Sequence, residues 1–156
     1  EYRTFYLDGK VYLIYGKTKP FVIGNGNLTV GELVEKLNLP NKSVVKENLK
    51  LLDLEYVPAV DEKVEISWKH NLSGGAIPTI LEKGDLYDKI EKLAIKAGKA
   101  INMKFATIDI IETTDNNLYV LEINSGIGAT IFTETVKGAD EIIKDIYREA
   151  LTKLFQ

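Results

Sequence analysis

Cysteine is absent from this sequence, which contains only one histidine, one methionine and one tryptophan. The absence of cysteine excludes disulfides, thiol catalysis and Cys-based zinc sites, and a single histidine excludes the common clusters of histidine ligands. No basic run indicates nucleic-acid binding, no apolar run approaches the ~20 residues of a membrane span, and no segment has the pattern of a signal peptide. These absences favour a cytoplasmic protein that binds neither nucleic acid nor membranes.

The composition is that of a folded protein with a substantial core. Hydrophobic residues make up 45% of the 156 residues, and the net charge of −3 comes from interspersed acidic and basic side chains. A strand pattern starts within the first seven residues, with no methionine before it. We therefore expect residues 1–156 to form one domain that is a fragment of a longer protein.

Hydrophobic periodicity and turn residues predict an α+β fold, an antiparallel sheet with helices packed on it. Alternation predicts strands over 2–7 and 11–15 around an Asp-Gly turn, and over 63–69. A capping box at Thr29 and Glu32 starts a helix that extends to about Leu37, after a Gly-Asn-Gly turn. Helical spacing predicts further helices over about 86–102 and 137–155, and a weaker pattern suggests a short helix within 44–53.

Residues 106–124 have the pattern of a β-hairpin with its turn at Asp115-Asn116-Asn117. The predicted packed faces are Ala106, Ile108 and Ile110 on the first strand and Tyr119, Leu121 and Ile123 on the second. An even-length loop centred between residues 115 and 116 places Asp109 opposite Glu122, with Asn124 on the same face. A bulge or an odd loop would shift this register by one residue and separate the pair.

Two opposed carboxylates repel each other unless something offsets their charge. A solvated polar face of an ordinary hairpin is the favoured interpretation on spacing alone. The alternative is a divalent cation, because Mg²⁺ prefers oxygen ligands such as carboxylates, amide oxygens and substrate phosphates.

A second candidate segment is the loop Trp68-Lys-His-Asn-Leu-Ser-Gly-Gly-Ala76. Its glycines could leave backbone N–H groups free to approach a phosphate or a carboxylate, and Lys69 places a positive charge beside them. A plain glycine turn with an exposed lysine is the alternative, and His70 is interpreted as a spectator that could line the site. At the start of the chain, Arg3 could contact a phosphate or a substrate carboxylate, or form a surface ion pair.

These segments together resemble the second lobe of the ATP-grasp ligases, in the branch of cyanophycin synthetase, glutamate ligases and glutathione synthetase. Asp109 with Glu122-Ile-Asn124, thirteen positions later, resembles the metal-binding signature of that family. Residues 69–75 resemble its Arg-x-Asn-Leu-x-x-Gly-Gly segment, with lysine in place of arginine and one residue fewer. The segments Glu1-Tyr-Arg3 and Val22–Thr29 also match the branch, but Asn25 replaces an aspartate, and the loop after Asn124 lacks the usual proline.

The resemblance implies one lobe of an ATP-grasp fold that holds Mg-ATP for a carboxylate–amine ligase. Such an enzyme forms an amide or peptide bond through an acyl phosphate, from small substrates such as amino acids or short peptides. Mg²⁺, as two ions that Mn²⁺ could replace, would be held by Asp109, Glu122 and Asn124. The resemblance implies further roles in phosphate binding or catalysis for Lys69, Asn71, Gly74, Gly75, Glu122 and Arg3.

The nucleotide-binding lysines of the family's first lobe have no counterpart in this sequence. We therefore expect the isolated chain to lack ligase turnover, and sustained ADP release would refute that expectation. A catalytically degenerate nucleotide-binding or interaction module is the alternative function, and an unrelated α+β domain with an acidic hairpin is a third. Substrate identity and any homo-oligomer formation stay open.

Overall fold

The computed structural model describes residues 1–37 and 49–154, which form two compact units. The larger unit comprises Glu1–Gly16 and Pro78–Gln156, and the smaller unit comprises Lys17–Ile77. In chain order the strands are β1 (Tyr2–Leu7), β2 (Lys10–Thr18), β3 (Phe21–Ile23), β4 (Lys63–Glu65), β5 (Ile77–Ile80), β6 (Phe105–Glu112) and β7 (Leu118–Asn124). The helices are α1 (Val30–Glu35), α2 (Asp85–Ala100), α3 (Thr130–Thr135) and α4 (Ala139–Leu154), and Leu72–Gly74 forms a turn of 3-10 helix.

A five-stranded sheet in the order β5-β2-β1-β6-β7 organises the larger unit. Strand β1 pairs antiparallel with both β2 and β6, and β6 pairs antiparallel with β7. The predicted α+β fold with an antiparallel sheet is therefore confirmed. Strands β1 and β6 lie inside the sheet, so that side chains on both of their faces are buried.

Helix α2 packs on one face of the sheet and forms the main core with it. Its buried residues include Tyr87, Ile90 and Ala94, and the helix meets Ile108 and Ile110 of β6. The remaining buried members of this cluster are Tyr6 and Ile14. The helix comes so close to β1 that a Cβ atom at Gly98 would lie 2.5 Å from the Tyr6 ring, so that only glycine fits there.

Aromatic side chains fill the opposite face of the sheet. Tyr15 of β2 stacks on Phe132 of α3, with ring centroids 4.3 Å apart and an interplanar angle of 11°. Phe105 of β6 meets Tyr147 of α4 edge to face at 5.5 Å. The charged residues described below lie on this second face.

The smaller unit is built around α1 and the two-stranded β3-β4 sheet. The predicted capping box is present, because the Thr29 hydroxyl accepts from the Glu32 N–H and the Glu32 carboxylate accepts from the Thr29 N–H. Asn25 has a structural role before this helix, since its side-chain oxygen accepts hydrogen bonds from the N–H groups of Asn27 and Leu28. The unit's buried core consists of Val22, Val30, Val34 and Ile66.

The predicted elements agree with the structure where the sequence pattern is long, and they differ where it is short. The first hairpin is confirmed, with Asp8 and Gly9 both at positive φ as a tight turn requires. The strand predicted over 63–69 ends at residue 65, and β3, β5 and α3 had no prediction. The helix suggested within 44–53 lies partly outside the described residues. Of the helices described, none is long and apolar enough to span a bilayer.

Candidate functional site

The hairpin of β6 and β7 departs twice from the geometry expected from the sequence. Its last strand pair is Glu112 with Leu118, which leaves a five-residue loop rather than an even one. The loop is closed by the Thr113 N–H donating to the Asn117 carbonyl at 2.9 Å, and Asn116 adopts a left-handed conformation. Farther from the loop, the register shifts by one residue between Asp109 and Ile110, where Leu121 is the extra residue of a β-bulge.

These two departures cancel, so that the predicted pairing of Asp109 with Glu122 is present. An odd loop alone would place Glu122 opposite Ile108, on the face covered by α2. The bulge restores the register, and Thr107 pairs with Asn124 two residues farther along. The two carboxylates and the Asn124 amide therefore belong to one face of the hairpin.

Because of the bulge, the packed face of β7 differs from the predicted one. The side chains that pack on the α2 core are Leu118, Val120 and Ile123. Tyr119 and Leu121, which were predicted on the packed face with Ile123, are 56% and 53% exposed. A bulge reverses the alternation of a strand, and this reversal cannot be read from strand periodicity.

Four residues on neighbouring strands form one row across the second face of the sheet. Arg3 of β1 lies opposite Tyr15 of β2 on one side and opposite Asp109 of β6 on the other. Asp109 in turn lies opposite Glu122 of β7. Side chains directly opposed in this way have Cβ atoms about 4.5–5.5 Å apart, so that each can contact the next.

Arg3 and Asp109 form a bidentate ion pair at the centre of this row. Arg3 Nε donates to Asp109 Oδ1 and Arg3 Nη2 donates to Asp109 Oδ2, both at 2.7 Å. Asp109 is 4% exposed, so its charge needs this partner. The hydrogen bonds to Asp109 raise the pKa of the Arg3 guanidinium, which keeps it charged. The sequence left open whether Arg3 contacts a phosphate or forms an ion pair, and the structure shows the ion pair.

Glu122 and Asn124 are the accessible members of the predicted metal-binding set. Glu122 is exposed and Asn124 is half-buried, in contrast to Asp109. The loop after Asn124 is held by Tyr147 of α4, whose hydroxyl donates to the Ile127 carbonyl at 2.9 Å. The loop leads into α3, where Phe132 is fully buried against Tyr15.

The oxygen ligands of Asp109, Glu122 and Asn124 are of the type that a hard divalent cation prefers, but they do not form a cluster of three carboxylates. Within residues 1–37 and 49–154, no group of three or more histidine, aspartate or glutamate side chains is placed to hold a metal ion. Asp109, Glu122 and the Asn124 amide supply two carboxylates and a carbonyl oxygen, the ligands that Mg²⁺ uses together with substrate phosphates and water.

Tyr15 is the member of the row that the sequence analysis missed. Its hydroxyl is buried, and it has no hydrogen-bond partner of ordinary geometry among the described residues. Burial raises the pKa of Tyr15 to about 12, and the Arg3 guanidinium close by partly opposes that rise. In sequence Tyr15 belongs to an apolar strand pattern, and its position in the row follows from the pairing of β1 and β2.

In the smaller unit, the glycine loop satisfies its own backbone. The Gly74 N–H donates to the Asn71 carbonyl and the Gly75 N–H donates to the Leu72 carbonyl, both at 2.9 Å. The expectation that these two N–H groups are free for a phosphate is therefore wrong in this conformation. Gly75 has φ of +91° at the end of the 3-10 turn, which explains the need for glycine there.

The side chains at the start of this loop are partly exposed. Asn71 is exposed, and Lys69 Nζ lies 5.5 Å from the ring centre of Trp68, which is 67% exposed. The Lys69 N–H donates to the hydroxyl of buried Ser67 at 3.1 Å, which fixes the backbone at the base of the lysine. His70 is half-buried beside it, and its role as a spectator stays a prediction.

Comparison with known proteins identifies a matching family, a similar protein sequence and a similar fold. The model of the RimK-like ATP-grasp domain matches residues 49–146. A tetrahydromethanopterin:alpha-L-glutamate ligase from Methanocaldococcus jannaschii is 37% identical over 99 residues, which cover 62% of this chain and 32% of that protein. The fold is similar to that of a bifunctional glutathione synthetase from Pasteurella multocida, with a TM-score of 0.62 at 20% identity over 95% of this chain and 24% of that one. This chain thus spans about a third or less of the length of either protein.

Proposed function

This chain belongs to the RimK-like ATP-grasp family of ligases, and from that premise we propose that it is the Mg-ATP-binding lobe of an ATP-dependent carboxylate–amine ligase. The region that matches the family includes the β6–β7 hairpin and the glycine loop. Arg3 lies outside the matched region, so its role is argued from its contacts.

The register of the β6–β7 hairpin is the observation that supports the proposal most. An odd loop and a compensating bulge together keep Glu122 opposite Asp109. β-Bulges are frequent next to active sites, where they redirect a side chain. A polar surface with no function would not need this correction, whereas a shared cation site requires both carboxylates on one face.

The proposed reaction has two steps, and both need charge neutralisation more than covalent help from the protein. An oxygen of the substrate carboxylate attacks the γ-phosphorus of ATP, the bond to the β-phosphate oxygen breaks, and ADP leaves. The amine nitrogen then attacks the acyl carbon, phosphate leaves, and the nitrogen loses a proton as the amide forms. Asp109, Glu122 and Asn124 would hold Mg²⁺, which supplies charge compensation at the phosphates when bound.

Arg3 would act on the same face as these ligands. In the present conformation its guanidinium neutralises Asp109 and fixes the orientation of the carboxylate. This pairing stabilises the buried charge of Asp109, which lies between Arg3 and Glu122 in the row. A direct catalytic contact of Arg3 with phosphate would require part of this pairing to open.

In the smaller unit, Lys69 and Asn71 would bind phosphate or acyl-phosphate oxygens through their side chains. Asn71 is exposed and Lys69 is half-buried, so that both side chains can be reached in part from solvent. Gly74 and Gly75 would contribute by permitting the turn that positions those side chains, unless their internal hydrogen bonds open on binding. A lysine binds phosphate as a point charge, without the bidentate geometry of the arginine found in the family motif.

Glutamate is the first amine substrate to test, because the curated relative is a glutamate ligase by name. The family-level proposal is an amino acid or a short peptide as one substrate and a small carboxylate as the other.

The proposal is tested by calorimetric titration of ADP into this chain with and without Mg²⁺. We expect Mg²⁺-dependent binding that is lost in Glu122→Gln, because the exposed carboxylate contributes a ligand and little to the fold. Glu112→Gln is the matched control. Glu112 belongs to the same hairpin but points to the opposite face, where it accepts a 2.7 Å hydrogen bond from the Tyr2 hydroxyl that a glutamine oxygen can also accept.

Equal loss of ADP binding in both variants would indicate a general effect of charge or stability and would contradict the site. Binding that is independent of Mg²⁺ would contradict the role of the hairpin as a metal site.

A degenerate nucleotide-binding lobe is the second candidate, and the Arg3–Asp109 pair is the observation that favours it. A guanidinium at 2.7 Å from both oxygens already supplies the charge compensation that a cation would provide. In that case ADP would bind weakly, and its affinity would not depend on the Mg²⁺ concentration.

A further inference from the structure

The packing of the Tyr15 ring explains its position, but no hydrogen bond of ordinary geometry satisfies its hydroxyl group. The ring is fully buried, stacks on Phe132 at 4.3 Å and lies 6.4 Å from the Phe5 ring centre. These contacts hold the ring in the aromatic layer, so that the hydroxyl cannot turn toward solvent. A phenylalanine would make the same contacts without burying an unsatisfied polar atom, which is normally costly.

The neighbour that could satisfy this hydroxyl is the Arg3 guanidinium. Arg3 lies directly opposite Tyr15 in the β1–β2 register, on the side away from Asp109. A guanidinium has five N–H donors, and the ion pair with Asp109 uses Nε and one hydrogen of Nη2. The guanidinium already lies close enough to the Tyr15 hydroxyl to oppose the rise of its pKa, and a displacement toward Tyr15 would let that oxygen accept a hydrogen bond of ordinary geometry.

A cation bound at Asp109 would create the need for such a displacement. The Arg3 charge and the cation would compete for one carboxylate, and like charges at this separation repel. Arg3 stays charged, so it can only move away or share the carboxylate less fully. On the side of Arg3 that faces away from Asp109, the Tyr15 hydroxyl oxygen can accept a hydrogen bond.

We propose that Tyr15 is a positioning residue, which accepts a hydrogen bond from Arg3 when the Asp109 carboxylate turns to a divalent cation. This inference rests on the proposed metal site and adds a residue to it. The Tyr15 hydroxyl, which is unsatisfied in the present conformation, would then accept the Arg3 hydrogen bond in the cation-bound conformation. The ion pair and the cation-binding arrangement become two states of the same row of side chains.

The inference is tested by titrating Mn²⁺ into the full chain by calorimetry and comparing wild type with Tyr15→Phe. We expect Mn²⁺ affinity to fall about tenfold, the effect of losing one hydrogen bond to a charged group. The thermal midpoint of the metal-free variant should be equal to that of wild type or higher, because an unsatisfied hydroxyl is removed. A merely structural tyrosine would change the midpoint and leave the affinity unaltered.

Tyr12→Phe is the control variant on the same strand. Its hydroxyl donates to Glu149 and lies outside the row, so we expect wild-type Mn²⁺ affinity. A double-mutant cycle with Arg3→Lys shows whether Tyr15 acts through Arg3. In the Arg3→Lys background, Tyr15→Phe should change the affinity less than about twofold, since the geometry of the guanidinium is lost.

Three results would overturn the inference. Equal affinity of wild type and Tyr15→Phe would remove Tyr15 from the site and leave the proposed function intact. A tenfold effect that persists in the Arg3→Lys background would show that Tyr15 does not act through Arg3. Absence of Mn²⁺ binding by wild type would overturn this inference and the metal site of the proposed function together.

Discussion

The β6–β7 hairpin and the glycine loop both match the ATP-grasp resemblance, but they satisfy their polar groups in different ways. In the hairpin, buried Asp109 depends on Arg3, which is 106 residues away in sequence. In the loop, Gly74 and Gly75 bond to carbonyls three residues before them, and the side chain of Lys69 is half-buried. The buried carboxylate of the hairpin therefore depends on tertiary structure, whereas the loop satisfies its backbone N–H groups locally.

The largest expected effect comes from breaking the ion pair of the hairpin. Arg3→Ala should lower the free energy of unfolding by about 3–5 kcal/mol, because it leaves a buried carboxylate without a partner. Urea unfolding at neutral pH measures this loss. Arg148→Ala is the control, since its ion pair with Asp145 is exposed on both sides and should contribute little. Similar effects of the two variants would show that the Arg3–Asp109 pair is no more important than a surface contact.

The pH dependence of stability at alkaline pH tests the burial of Tyr15 in the larger unit. The pKa of Tyr15 is about 12 in the folded chain, and a tyrosine in an unfolded chain ionises near pH 10. Between these values the unfolded chain releases a proton that the folded chain keeps, so stability falls as pH rises. Unfolding measured from pH 9 to pH 12 should show a steeper decline for wild type than for Tyr15→Phe. Identical slopes would contradict the burial of this hydroxyl.

The smallest expected effect belongs to the glycine loop. Gly75→Ala should cost about 1–2 kcal/mol, because φ of +91° strains any residue with a Cβ atom. Gly126→Ala is the matched control, since no described atom lies within 4 Å of a Cβ built there and its φ is not in the left-handed region. Thermal unfolding of the two variants compares them. An equally small effect of both would mean that the loop does not depend on its left-handed turn.

Local sequence signals were sufficient for several elements of the fold. The Thr29–Glu32 capping box and the Asp8-Gly9 turn each need contacts within a few residues, and both are present as predicted. Strand β3 has three residues, and helix α3 contains three threonines and an isoleucine, which have little helical preference. Their conformations depend on tertiary packing, as the buried position of Phe132 shows, and local patterns could not predict them.

The candidate site could also be predicted only in part from the sequence. Asp109 and Glu122 are paired as predicted, but through a five-residue loop and a bulge at Leu121 whose effects on the register cancel. Sequence alone placed Arg3 among the candidates but could not place it against Asp109, because that contact depends on the pairing of β1 with β6. Tyr15 carried no signal of its own, since a buried tyrosine in a strand is usually a core residue.

The most direct test of the account is to locate a bound cation on the chain by NMR. Mn²⁺ broadens the resonances of nearby nuclei, so substoichiometric Mn²⁺ added to the labelled chain reports where it binds. The account predicts that the backbone amides around Asp109 and Glu122–Asn124 broaden before any others. Broadening that is confined to the exposed acidic residues of α4 would contradict the assignment of a metal–phosphate site to the face with Asp109 and Glu122. Absence of broadening in the β6–β7 hairpin would contradict it equally.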